Sequence, residues 1–119
     1  MQRKFRLTRS EDFKRVRRSG KSYAHPLVVL IVQTHEQPRL KVGVAAGRTI
    51  GTAVHRNRAK RLLREAMRSL LPDITPNLDL ILIARAGLVT ATLEETRQAL
   101  LNLLRRAQIL KTQRSTNES

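Results

Sequence analysis

Between positions 55 and 68 the chain concentrates Arg56, Arg58, Lys60, Arg61, Arg64 and Arg68, with Asn57 among them and Glu65 as the one acid. Arginine outnumbers lysine here, and a guanidinium fork grips phosphate oxygens at two points and stacks on exposed bases. Wound as a helix at about 100° per residue, the stretch sorts into two arcs. Ala59, Leu62, Leu63, Ala66, Met67 and Leu70 share one arc, which must face a core. Asn57, Lys60, Arg61, Arg64 and Arg68 share the other, with Arg58 beside them. Arg56 lies nearer the buried side, at the first turn, from which it can project past the helix end. That turn also offers unpaired N–H groups and a positive dipole, both suited to phosphate. A merely solvated face interleaves Glu with Lys or Arg four residues apart. Here Glu65 can pair with Arg61 or Arg68, and at least four cations stay uncompensated. The chemistry is polyanion binding. It suits folded RNA, with its irregular backbone and unstacked bases, and it suits DNA as well.

Protein-borne hydrolysis is harder to assemble. His25, His35 and His55 are scattered without metal-ligand spacing and read as solvated or structural. Asp73 and Asp79 read as isolated, and Glu94 and Glu95 stand at a helix start, where the dipole explains them. No carboxylate pair and no Ser/His/Asp set suggests a catalytic centre. Gly43, Gly47 and Gly51 are too loosely spaced for a phosphate loop, and no Gly-Lys-Ser/Thr follows them. The absence of cysteine excludes disulfides, thiolate metal sites and a cysteine nucleophile.

The charge of the whole chain agrees with the motif. Lys and Arg total 24 against 9 Asp and Glu in 119 residues, a net charge of +15. Such a field attracts polyanions, nucleic acid first. An anionic membrane surface is the weaker partner, because no amphipathic helix carries a bulky aromatic face. Phe5, Phe13 and Tyr23 are the only aromatic residues, so the core must be aliphatic. No apolar run approaches the roughly 20 residues of a membrane span, and no apolar signal segment follows the basic N-terminus. A cytoplasmic protein of one domain over residues 1–110, with a polar tail over 111–119, is the expectation.

The elements that must position these residues can be read in order. Thr8 and Glu11 have capping-box spacing, so a first helix is predicted from Thr8, with Phe13 and Val16 on one face and Gly20 ending it. Residues 27–33 form a β-branched run, predicted as a strand covered on both faces. Leu40, Val42 and Val44 alternate with Lys41 and Gly43 in a second strand, and Thr34 to Pro38 is short enough for a hairpin loop between the two. Tyr23 and Ala24 suggest an edge strand. Thr52 caps a long helix over about 53–70. Residues 78–84 read as another buried strand, and Thr92 with Glu95 opens a final helix to about Ile109. The predicted order is α-β-β-β-α-β-α, an α/β (α+β) single-domain sandwich.

Residues 51–65, Gly-Thr-Ala-Val-His-Arg-Asn-Arg-Ala-Lys-Arg-Leu-Leu-Arg-Glu, resemble the signature of the bacterial ribonuclease P protein family, whose core is Arg-Asn-Arg followed by Lys-Arg. Phe5-Arg6-Leu7, Ser10 to Phe13, Arg39 to Gly43, Ile81 to Arg85 and Leu93 to Thr96 also look like the family, so the resemblance spans about residues 5–110. It implies a fold like the second domain of ribosomal protein S5, with a left-handed β-α-β crossover against the usual right-handed rule. It implies a partner RNA that cleaves the 5′ leader from precursor tRNA with Mg2+ held mainly by that RNA. By position, Arg56, Asn57, Arg58, Lys60, Arg61, Arg64 and Arg68 would meet or flank the catalytic RNA. Phe13, Arg17, Val29, Ile31 and Arg48 would border the leader, in a cleft between the first helix and one sheet face. The family often carries an aromatic residue where Arg17 and Ile31 stand, so base stacking is thin here and basic and aliphatic contacts take its place. Residues 45–49 depart from a more lysine-rich, serine-containing version, with Arg48 the one cation kept. A ribosomal or RNA-chaperone protein of similar fold is the rival reading. It accounts for the charge but not for the motif.

Overall fold

The computed structural model describes residues 5–111. Helix α1 (Ser10–Ser19) leads through strands β1 (Lys21–Ala24), β2 (Val28–Thr34) and β3 (Leu40–Ala45) to α2 (Ala53–Arg68), then β4 (Leu78–Ala84) and α3 (Leu93–Arg106). Short 3-10 turns at Arg48–Ile50, Leu71–Asp73 and Ala86–Thr90 join the later elements. The predicted order holds. The residues 112–119 of the expected tail lie outside those described.

Sheet order is β1-β2-β4-β3. β4 pairs antiparallel with β2 and parallel with β3. The predicted β2–β3 hairpin is therefore corrected: the chain segment between them is short, but β4 lies between the two strands. β4 is nearly all buried, with Leu78, Leu80, Ile81 and Leu82 each at most 3% exposed. A strand so apolar on both faces takes the centre of a sheet, and the more polar β1 takes an edge. A connection between parallel neighbours must cross over the sheet, and α2 makes that crossing from β3 to β4.

Alternation along the strands divides the sheet into two faces. On one, Val28, Leu30, Leu40, Val42, Val44, Leu78, Leu80 and Leu82 pack under α2 and α3, against Leu63, Met67, Leu100, Leu103 and Leu104. On the other, Ile31 and Ile81 pack with Leu7 and Val16 beneath α1, with Phe13, Val29 and Ile83 partly buried around them. The result is three layers, α1 on one side and the α2–α3 pair on the other.

The caps explain two helix starts and correct a third. Thr92 and Glu95 form a reciprocal capping box, with bonds of 2.9 and 3.0 Å. Thr52 caps α2 by accepting the His55 N–H. At α1 the expected Thr8–Glu11 box does not form. The N-cap is Arg9, without a side-chain bond, and the helix begins at Ser10. The cause is upstream: buried Leu7 donates its N–H to the Val42 carbonyl at 2.9 Å, so Thr8 is spent on turning the chain from the β3 edge up to the helix.

Candidate nucleic-acid interface

α2 buries the predicted arc. Ala59, Leu63, Ala66, Met67 and Leu70 are at most 2% exposed, and Leu62 is partly buried. The opposite arc faces outward, where Asn57, Lys60, Arg61 and Arg64 line a shallow groove of about 390 Å3. Among the described residues Asn57, Lys60 and Arg61 have no side-chain partner. Two of the predicted contacts are engaged internally. Arg68 pairs with Glu65 at 3.0 Å, an exposed pair, and Arg58 donates to the Val89 carbonyl, tying α2 to the turn after β4. Arg56, Arg58 and Arg68 thus flank a free centre of Asn57, Lys60, Arg61 and Arg64.

Arg64 has a neighbour that spacing along the chain did not reveal. The segment Phe5–Leu7 runs beside β3, with Arg6 bridged to Val42, which brings Arg6 toward α2. Arg6, Thr8, Phe13 and Arg64 line a cavity of about 210 Å3. The Nε atoms of Arg6, Arg56 and Arg64 are buried without a hydrogen-bond partner. Burial, and then repulsion from Arg6, hold the Arg64 guanidinium below its ordinary value. Two arginines line one small cavity with no carboxylate among its lining residues, an arrangement chemically suited to an anion.

The leader residues read from the resemblance divide between two positions on the α1 face. Across the sheet the register aligns Ala45, Ile83, Val29 and Ala24 in one row, and Gly43, Ile81, Ile31 and Ser22 in the next. α1 lies over the second row. Its Phe13 ring packs on Gly43 so closely that a Cβ there would collide with Phe13 Cζ. Ile31 is 5% exposed beneath the helix, so it forms the floor of the α1 layer rather than an open surface. The first row is left partly open, with Val29, Ile83 and Ala45 half-buried and Arg17 exposed on the helix flank above. Arg48 is exposed in the 3-10 turn just beyond Ala45. Phe13, Arg17 and Val29 thus border one trough beside α1, and Arg48 sits past the end of β3 in a turn packed on α2. Ile83 and Ala45 share that open row with Val29, and strand alternation from Val29's pairing partners would have found them.

Asp79, read as isolated, is not. It is fully buried on the α1 face, one row beyond Ile81. Arg15 Nη2 donates to its Oδ2 at 2.8 Å and Arg39 Nη1 to its Oδ1 at 3.2 Å. His35 Nε2 stands 3.3 Å from Oδ1, within ion-pair reach but misaligned for a hydrogen bond. The Asp79 carboxylate, by hydrogen bonding, pushes the Arg15 guanidinium above its usual range, against the effect of burial. This set does not fit a metal ion: both carboxylate oxygens are taken by cations, and no group of three His, Cys, Asp or Glu gathers elsewhere among the described residues. No helix is long and apolar enough to cross a membrane among them either.

Fold and surface together define a small three-layer protein that presents an uncompensated cationic ridge to a nucleic acid. Comparison with known proteins sharpens that class. The family model for ribonuclease P matches residues 1–108. The chain is 45% identical over 109 residues to the ribonuclease P protein component of Herpetosiphon aurantiacus, covering 92% of this chain and 89% of that one. It is 41% identical over 112 residues to that of Brevibacillus brevis, covering 93% and 89%. Among solved structures, the Staphylococcus aureus RNase P protein superposes with a TM-score of 0.80 at 27% identity, over 89% of this chain and 97% of that one. The Thermotoga maritima RNase P protein does so at 0.76 and 30% identity, over 85% and 96%. The chain belongs to the ribonuclease P protein family. It is an RNA-binding subunit with a role in tRNA 5′ processing, and the ribosomal or chaperone reading is not favoured.

Proposed function

We propose that this chain seats on the catalytic RNA of ribonuclease P through the α2 ridge and the Arg6–Arg64 cavity, and holds the single-stranded 5′ leader of precursor tRNA in the trough beside α1. The RNA carries the hydrolysis, which removes the leader and leaves a 5′-phosphate on the tRNA. Mg2+ belongs to the RNA in this reading, and the chain contributes binding and orientation.

The observation that carries the reading is the free centre of α2: Asn57, Lys60, Arg61 and Arg64 converge on one groove with no acidic side chain lining it. The trough supports the second half. It has an aliphatic floor, a single aromatic wall in Phe13, and a cation at Arg17, with Arg48 past the end of β3. That suits a flexible strand read by its backbone more than by its bases.

The test adds the protein to the catalytic RNA and precursor tRNA at low magnesium. Cleavage at the mature 5′ end is expected to rise with the protein present. Arg61→Glu combined with Arg64→Glu is expected to weaken assembly with the RNA about a hundredfold, from the loss of two charge-assisted contacts. Cleavage no faster with the protein than without it overturns the reading.

A further inference from the structure

The Asp79 cluster lies outside every surface assigned above, yet it holds the helix that walls the trough. We propose that Asp79 is a positioning residue: by gripping Arg15 it fixes how α1 sits on the sheet, and so sets the width of the leader trough on the helix's far flank. The proposal rests on the leader reading.

The geometry is that of a lever. At about 100° per residue, Val16 points down from α1, Asp12 and Arg15 fall to one flank, and Phe13 and Arg17 fall to the other. The contacts agree. Val16 is fully buried. On one flank Arg15 reaches Asp79 at 2.8 Å, Asp12 at 3.2 Å and the Gln33 side chain. On the other, Phe13 rests on Gly43 and Arg17 stands exposed over the open row. The apolar contacts under Val16 are non-directional and permit α1 to roll about its axis. A guanidinium tied to two oxygens of the sheet, those of Asp79 and Gln33, does not. The anchor is itself fixed, because Asp79 lies on an interior strand and its second oxygen is held by Arg39, the residue before β3. A fully buried carboxylate is costly unless paired. An apolar residue at 79 would extend the Ile81–Ile83 row without that cost. A positional role explains why a charge stands there instead.

A purely structural role and a positioning role predict different results. The assay uses the assembled holoenzyme at saturating protein, and compares affinity for precursor tRNA with that for tRNA lacking a leader. Thermal stability of each variant is measured in parallel. Wild-type protein is expected to favour the leader-bearing substrate. Arg15→Gln, at a side chain 34% exposed, is expected to cut that preference about tenfold. Asp79→Asn is expected to do the same, and the double variant to lose no more than either single. Arg15→Lys, which keeps the charge, is expected to recover most of the preference. An unchanged preference in Arg15→Gln overturns the proposal, whatever happens to stability, as do strictly additive losses. A wild-type protein indifferent to the leader overturns the leader reading itself, and the lever with it.

Discussion

Arg15 and Arg64 are both partly buried arginines, each on a helix packed against the sheet, yet their surroundings are opposite. Arg15 meets Asp79, Asp12 and Gln33, and its carboxylate partner raises its affinity for the proton. Arg64 meets Arg6, and burial with that repulsion lowers it. An arginine stays protonated at any working pH, so neither shift changes the charge. What differs is where the counter-charge comes from. The Arg15 site carries its own and is complete within the fold. The Arg6–Arg64 site lacks one, and the molecule tolerates two desolvated like charges where its family's partner is RNA. An internal carboxylate marks an arginine that holds the structure together. In the proposed interface, the lack of one beside Arg64 leaves that arginine available to phosphate.

The largest expected effect tests the uncompensated side. If six of the cations meet phosphate, affinity for the RNA falls about a thousandfold between 50 and 200 mM salt, by counterion release. Removing Arg6 and Arg64 together lowers the magnitude of the logarithmic salt slope by about two, whereas Arg15→Gln leaves it unchanged. Binding titrations across a salt series read both. Equal slopes for the two variants erase the distinction between the sites.

The compensated side has the next largest effect, and it falls on stability. Asp79→Ala takes the shared hydrogen-bond acceptor from Arg15 and Arg39 and leaves a gap beneath α1, and is expected to cost about 2 kcal/mol. The cost stays below that of an uncompensated buried charge, because the two arginine side chains left behind are 34% and 35% exposed and water can reach them. Urea unfolding of the free protein measures it. A loss no larger than that of an exposed pair, such as Glu65→Ala beside Arg68, shows that Asp79 does not organise its cations.

The two clusters also mark where the sequence stops being legible. Elements with a strong local signal were readable: β4 from its apolar run, α3 from Thr92 and Glu95, and the buried arc of α2 from helical spacing. The free centre of the α2 ridge was readable for the same reason, since one helix fixes its geometry. Sheet order was not, because nothing local in β2 or β3 says that β4 will come between them. The Arg6–Arg64 cavity needs the N-terminal segment to run beside β3. The Asp79 cluster draws on α1, on β2, on the loop before β3 and on β4. One signal was present at Asp79. It shares its alternation with Ile81 and Ile83, and a carboxylate on a row that faces a helix must find a cation. The sequence supplied too many cations to say which.

The smallest expected effect discriminates most finely, because it reverses sign between conditions. In anion-free, low-salt buffer, Arg64→Met removes one of two repelling, partly buried charges and keeps much of the side chain's apolar stem, so the free protein is expected to become slightly more stable. Pyrophosphate or sulfate should then separate wild type from variant. At ten times the dissociation constant, an anion bound only by the folded state adds about 1.4 kcal/mol, or roughly 5 °C in melting temperature for a domain of this size. Wild type is expected to gain that increment and Arg64→Met to lose most of it, so that their order of stability inverts as anion is added. Arg15→Gln is expected to gain as much as wild type, since its site already holds a carboxylate. An anion increment that survives Arg64→Met, or that disappears in Arg15→Gln, places the bound anion elsewhere on the cationic surface and removes the Arg6–Arg64 cavity from the RNA interface.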